Sequence, residues 1–274
     1  MAFWHHYPQQ PLADFVEMFW LYEGMQGTHG QGRERLLPSG TVELVIGLRD
    51  DTGNVYPRDR DHDPLTFHGP VVCGPHSEYF AIDSVQTIHV IGIHFKPGGA
   101  FPFLGIPTGE LQNRHVSLDD LWGRYADEVH ARVVEAPTPE GKIRALEEGL
   151  LGRLFMPLER HDAVAFALGE FARPSTREVG VVTDQLGMSG RRFADRFCDE
   201  VGLTPKLYCR VRRFQDALRH VHARKHVDWA DVALTCGYFD QAHFNHDFRS
   251  FSGLSPTAYL ASATPHLNHV PLGD

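Results

Sequence analysis

Gln241, Ala242, Asn245 and His246 are spaced so that one helix would present them together, with Arg249 one turn further on. Turning each position by about 100° sets this group opposite Phe244, Phe248 and Phe251, which stand at i, i+4 and i+7 as one apolar stripe. The chemistry open to such a face is hydrogen bonding to base edges. The amides of Gln241 and Asn245 suit adenine, the methyl of Ala242 suits thymine, and the imidazole of His246 suits a base or a phosphate. Arg249 suits a phosphate, a contact that fixes register without reading sequence. The same polar pattern also fits a plain solvated face, and His243 with His246 also fits a metal pair.

Positioning that face requires a specific set of elements. Val232, Ala233 and Cys236 lie at helical spacing, and Gly237 stops their helix, because glycine takes a left-handed backbone at little cost. Asp240 is placed to cap the next helix. Gly253 closes that helix, and Pro256 opens another. The layout is helix, tight turn, helix, and it occurs twice. Gly187, Phe193, Phe197 and Gly202-Leu-Thr-Pro205 repeat Gly237, Phe244, Phe248 and Gly253-Leu-Ser-Pro256. In the upstream copy Arg191, Ala194 and Asp195 face outward with Cys198. Arg191 suits guanine, and Asp195 suits either the cytosine amino group or an internal bond to Arg191 or Arg192. Arg192, Arg196 and Arg212 are the phosphate candidates of this half. Between the copies, Leu207, Val211, Phe214, Leu218 and Val221 are spaced 4-3-4-3, so a single connecting helix is predicted over 206–221.

Two such units on a long helix resemble the DNA-binding domain of AraC-type (AraC/XylS family) transcriptional regulators. The downstream unit carries that family's pattern of a small residue, Gly, an aromatic, then Gln-x-x-Phe-x-x-x-Phe and Gly-x-Ser-Pro-x-x-Tyr. The resemblance covers about 159–262. It implies two heads entering adjacent major-groove segments of double-stranded DNA. It further implies a sensor domain controlled by a small molecule or by dimerisation, recruitment of RNA polymerase, and activation of transcription. Asp195 departs from the cationic or amide residue common there.

Charge supports the division. The net charge is −9, yet residues 1–159 hold 12 Lys+Arg against 22 Asp+Glu, while 160–260 hold 14 against 12. Only the back part can tolerate phosphates, and its weak excess leaves the work to local arginine clusters. Cys73, Cys198, Cys209 and Cys236 form no CxxC pair, so neither a disulfide framework nor a zinc knuckle is expected. Cys198, on an outward face, is a candidate redox-sensitive thiol. No cofactor, metal or catalytic residue is expected.

The expected fold is α+β: a small β-barrel or sandwich over 1–115, helices over 116–158, the all-α DNA-binding domain over 159–262 and a flexible tail over 263–274. Strands are predicted after a turn at Pro38-Ser-Gly40 within 35–49 and around 67–73, 79–82 and 88–95, and 50–66 reads as an exposed loop. Ile143, Leu146, Leu150 and Leu154 make a stripe that suits either a homodimer contact or packing on the front domain. If the front domain holds an effector, Trp20, Glu43, His76, Tyr79, His89 and His94 are the side chains to line its pocket. Two alternatives remain open at this point: a DNA reader fused to a metal-dependent barrel enzyme, and a DNA binder without an effector. For the enzyme, His76-Ser-Glu78 is the compact His–carboxylate pair, and it lacks the companion His two residues away that cupin enzymes show. The chain shows no signal peptide and no apolar run near the roughly 18 residues of a membrane helix, so a cytoplasmic protein is expected.

Overall fold

The computed structural model describes the 274-residue chain apart from residues 1, 25–31, 50–51, 61–62, 85–88, 174–177, 223–226, 263 and 273–274.

The N-terminal half is two antiparallel sheets, which is the sandwich-like form of the expectation rather than a closed barrel. The first sheet runs in the order β1 (Ala2–His6), β2 (Val16–Glu23), β9 (His89–Phe95), β4 (Glu43–Gly47), β7 (Val71–Cys73), β10 (His115–Ser117). The second has β11 (His269–Leu272), β3 (Arg33–Leu36), β8 (Phe80–Asp83), β5 (Thr52–Pro57) and β6 (Leu65–His68). The single strand predicted over 67–73 is therefore two strands in different sheets. Gly69, at φ 82°, and Pro70, which has no N–H to donate, break it. The stretch read as an exposed loop, 50–66, supplies β5 and the start of β6.

Strand period divides the first sheet into two chemistries. Leu44, Ile46, Val72, Ile91 and Ile93 point to one face, where they are buried. Helices α2 (Leu118–Trp122), α3 (Arg124–Glu135) and α4 (Pro139–Leu151) cover that face after the short α1 (Phe101–Leu104). Ile143, Leu146 and Leu150 are spent there, which answers the question left by their stripe. Leu154, beyond the end of α4, is exposed.

The C-terminal half is helical: α5 (Asp162–Phe171), α6 (Val179–Gln185), α7 (Gly190–Val201), α8 (Pro205–His222), α9 (Trp229–Thr235), α10 (Gln241–Ser252) and α11 (Pro256–Ala261). Phe193, Phe197, Phe214, Phe244, Phe248 and Phe251 are all buried in one core. Full burial of a large apolar side chain contributes roughly 1.5–3 kcal/mol. The predicted Phe stripes are thus what hold α7 and α10 on α8.

The tail does not stand free. After α11 the chain returns as β11 and pairs antiparallel with β3, joining the second N-terminal sheet at its edge. Gln215 Nε2 donates to Pro38 O at 2.8 Å and to Asn268 Oδ1 at 2.9 Å, so α8, the N-terminal half and the tail meet at one side chain. Arg160 donates to Pro97 O and Asp14 O at 2.6 and 2.9 Å. Among the described residues, no helix is long and apolar enough to cross a membrane.

Candidate nucleic-acid interface

Each outward helix is set up by the same local devices. In the first unit Gly187 turns the chain at φ 64°, and Ser189 Oγ accepts from Arg192 N at 3.3 Å. In the second, Gly237 turns at φ 77°, and Asp240 Oδ1 accepts from His243 N at 2.7 Å. These caps satisfy N–H groups that a helix start leaves free. Gly202 and Gly253 end the helices at φ 88° and 70°. Matching the phenylalanines places Ser189 against Asp240 and Gly202 against Gly253, but the second turn is one residue longer. Met188 and Tyr238 both pack inward, so the additional residue is Phe239, which is 87% exposed.

Arg191, Arg192, Asp195 and Arg196 are exposed on α7, and Ala194 is half-buried beside them. Gln241, Ala242, His246 and Arg249 are exposed on α10, and Asn245 is half-buried among them. Each set forms one surface, at the N-terminal and middle turns of α7 and along α10 as far as Arg249 in its last turn. Arg212 is placed differently. Its Nη2 donates to Ala172 O at 3.3 Å at the end of α5, and its guanidinium lies against Tyr208, so this cation is engaged within the fold. Arg210, two positions before it on α8, is paired with Asp247 on α10, donating from Nη2 to Oδ1 at 2.7 Å and from Nε to Oδ2 at 3.4 Å. Asp247 is only 2% exposed and also has His243 and His246 within 4 Å. The hydrogen bond to Asp247 raises the Arg210 pKa against the lowering effect of burial. This pair, which sequence reasoning missed, ties α10 to α8. Its only sequence signal is a carboxylate on the apolar side of a helix.

The C-terminal ends of both helices rest on the N-terminal half. The turn Thr108–Leu111 lies on the last turn of α7, where a Cβ on Gly109 would stand 2.9 Å from Cys198 Sγ. Cys198 is therefore not on an open face. Burial raises its pKa, with Asp199 and Asp195 adding to the shift, which works against the thiolate form that a redox-sensitive cysteine needs. A Cβ on Gly202 would run into Pro75, and one on Gly253 would run into Tyr79. Arg35 Nη1 donates to Ser252 O at 2.9 Å and Arg58 Nη1 to Ser250 O at 2.8 Å, so two cations of the acidic half close the end of α10. Arg58 and the outward residues Ala242, Asn245, His246 and Arg249 line one open groove.

The side chains expected to form an effector pocket separate into two groups. Glu43 lies opposite His94 in the sheet and bonds to it, Oε1 to Nδ1, at 2.6 Å. Burial would raise the Glu43 pKa, but the hydrogen bond and charge of His94 outweigh it and hold the carboxyl below its ordinary value. Burial would lower His94, and Glu43 outweighs that as well. Trp20 lies on this same face, lodged over Gly92, where a Cβ would be 2.5 Å from its ring. His76 adjoins them from the loop after β7. Tyr79 and His89 do not. Tyr79 is stacked under Arg35 at 4.1 Å in the contact with α10. His89 is five residues from His94, an odd number, so it points to the opposite face of β9.

The face bearing Glu43 and His94 carries a further group. Cys73 is directly opposite Glu43 on one side and His115 on the other. Cys73, His76 and His115 bring three ligand-type atoms within 4.8 Å of one another. Sequence reasoning missed this because strand register, not spacing along the chain, places residue 115 beside residue 73.

Two family models match the chain. One, over residues 5–117, is described as a domain of unknown function (DUF6597), and the other, over 182–262, as a helix-turn-helix domain. No curated protein matches the sequence. Among solved structures, a single-residue variant of apo ToxT from Vibrio cholerae is 11% identical at a TM-score of 0.47, with 96% of this chain and 98% of that one covered. ToxT from the same organism bound to (E)-4-(8-methylnaphthalen-1-yl)but-3-enoic acid is 9% identical at a TM-score of 0.48, covering 95% and 99%. The xylose-binding transcription activator xylR is 19% identical over 44% of this chain and 38% of its own, at a TM-score of 0.30.

Proposed function

We propose, from the premise that residues 182–262 are a helix-turn-helix domain of the AraC type, that this chain is a transcription regulator that reads two neighbouring major-groove segments of one duplex. The observation that carries this reading is the pair of equivalent helices, α7 and α10, which share one core with α8 and leave their N-terminal turns open. Rigid spacing matters because two heads reach one face of the duplex only when they are held about one DNA turn apart. Arg191 and Asp195 on one head, with Gln241, Ala242, Asn245 and His246 on the other, are the proposed base contacts, and Ala194 packs among the first set. Arg192, Arg196 and Arg249 are the proposed phosphate contacts; Arg212 is the weakest candidate, being engaged by Ala172 and Tyr208.

The N-terminal half, on this reading, is the controlling domain, because it seats the C-terminal ends of both heads. Activation, contact with RNA polymerase and pairing of two copies belong to the same proposal and follow from the resemblance alone. Selection of bound sites from a pool of random duplexes tests it. The expected product is one asymmetric motif or a direct repeat. Enrichment of no sequence, or of an inverted repeat with a single reading module per half, would overturn it.

A further inference from the structure

The row His94–Glu43–Cys73–His115 crosses four neighbouring strands, each residue directly opposite the next. It looks into the space between the two sheets, where Phe80 from the second sheet packs edge-on to His115 with ring centres 4.4 Å apart. His76 enters the same space between Phe80 and His115, at 4.6 and 4.7 Å from their rings. His76 is only 5% exposed, and neither of its ring nitrogens makes a hydrogen bond of good geometry, with only a poorly aligned approach to the Arg114 backbone. Buried polar atoms are nearly always well satisfied, and an imidazole left this short of partners asks for one. An imidazole nitrogen carries a lone pair that a metal can accept, and His76 and His115 bring theirs within 4.8 Å of each other and of Cys73 Sγ.

We propose that Cys73, His76 and His115 form a site for a divalent transition-metal ion of the zinc class, through which the N-terminal domain controls both DNA-reading helices. One thiolate and two imidazoles are a borderline-soft donor set, which suits zinc or cobalt and does not suit magnesium or calcium. Three protein ligands leave a fourth position open, as in a site that exchanges its ion or accepts a further ligand. Tetrahedral zinc sets its sulfur and nitrogen ligands about 3.5 Å apart, so a trio within 4.8 Å must draw in by on the order of 1 Å. Binding displaces the Cys73 thiol proton to solvent, forming a metal–thiolate bond with no change of oxidation state. Glu43, next to Cys73 but held by His94, sits beside the site and offsets the positive charge of the ion.

The control half of this inference rests on the regulator reading, and its path is short. His76 lies in the segment 74–79, whose Pro75 abuts Gly202 at the end of α7 and whose Tyr79 abuts Gly253 at the end of α10. One strap therefore supports the equivalent caps of both repeats, with His76 between them. His115 is tied to the same strap: Gly74 N donates to Arg114 O at 2.9 Å, and Ser77 N to Asn113 Oδ1 at 2.7 Å. Drawing the three ligands together moves the surface on which both heads are seated.

The test uses the full chain, purified free of metal and titrated with cobalt(II), then zinc(II). The site predicts one equivalent of cobalt with a thiolate-to-metal charge-transfer band, displaced by zinc. Cys73→Ser should lose the band, and His115→Phe, which keeps an aromatic ring against Phe80, should weaken binding by more than about 100-fold, above the range an outer-shell partner carries. Circular dichroism and a thermal melt confirm that both variants are folded. In parallel, affinity for a duplex selected by the parent protein should change on the order of tenfold with zinc in the parent and not in the variants. No thiolate band, or equal binding by the parent and both folded variants, overturns the site. A band with unchanged DNA affinity overturns the control. Intact metal binding in a protein that ignores duplex DNA with or without zinc sinks the regulator reading and leaves the site standing.

Discussion

The two outward helices share one scaffold and differ at nearly every position that faces away from it. Aligned on their phenylalanines, Arg191, Ala194, Asp195 and Cys198 of α7 answer to Ala242, Asn245, His246 and Arg249 of α10. The first head is a charged one whose last outward position is covered by the turn at 108–111; the second is an amide-rich one exposed along more of its length. The clearest contrast is Arg196 against Asp247. The first is an exposed cation, and the second is a buried carboxylate locked to Arg210. One position of the repeat thus serves the surface in one copy and the core in the other. The repeat specifies backbone and packing, while the reading chemistry is free to diverge.

The largest effect that can break this comparison is on stability. Asp247→Ala strands the Arg210 guanidinium and should cost on the order of 2–3 kcal/mol, discounted for the partial exposure of Arg210. Arg196→Ala at the matched site should stay within about 0.5 kcal/mol, since exposed positions rarely matter more. Denaturant unfolding of both variants checks this, and equal losses would end the claimed asymmetry. Next comes specificity. Asn245→Ala should give up about 1–3 kcal/mol of discrimination at one base, seen as a relaxed position in the selected motif. Asp240→Ala removes the cap bond to His243 and should cost about 1 kcal/mol of stability, with Ser189→Ala as its counterpart in the first unit. Arg249→Ala should be the mildest, weakening all sequences alike and lowering the slope of log affinity against log salt by about 1. A base-specific loss from Arg249→Ala would move that residue from phosphate to base.

What the sequence discloses follows the range of the interactions involved. Helices α7 to α11 are legible because their stripes, caps and stop glycines act within four or five residues. The partners of Arg210 and Arg212 are not, because Asp247 and Ala172 are 37 and 40 positions away. The tail reads as free because His269–Leu272 becomes a strand only through the edge offered by β3, more than 230 residues earlier. Glu43 and His94 are legible as polar residues on strands, yet only register makes them partners. The same rule separates His89 from them and draws in Cys73 and His115, which composition alone assigns to the core or to nothing.

The central claim is that two heads on one rod engage one side of one duplex. Hydroxyl-radical footprinting of the full chain on a selected site tests it most directly. The account predicts two protected patches on the same face, centred about 10 base pairs apart, with Asn245→Ala thinning one patch and Arg191→Ala thinning the other. A single patch, or two patches on opposite faces of the duplex, would contradict it.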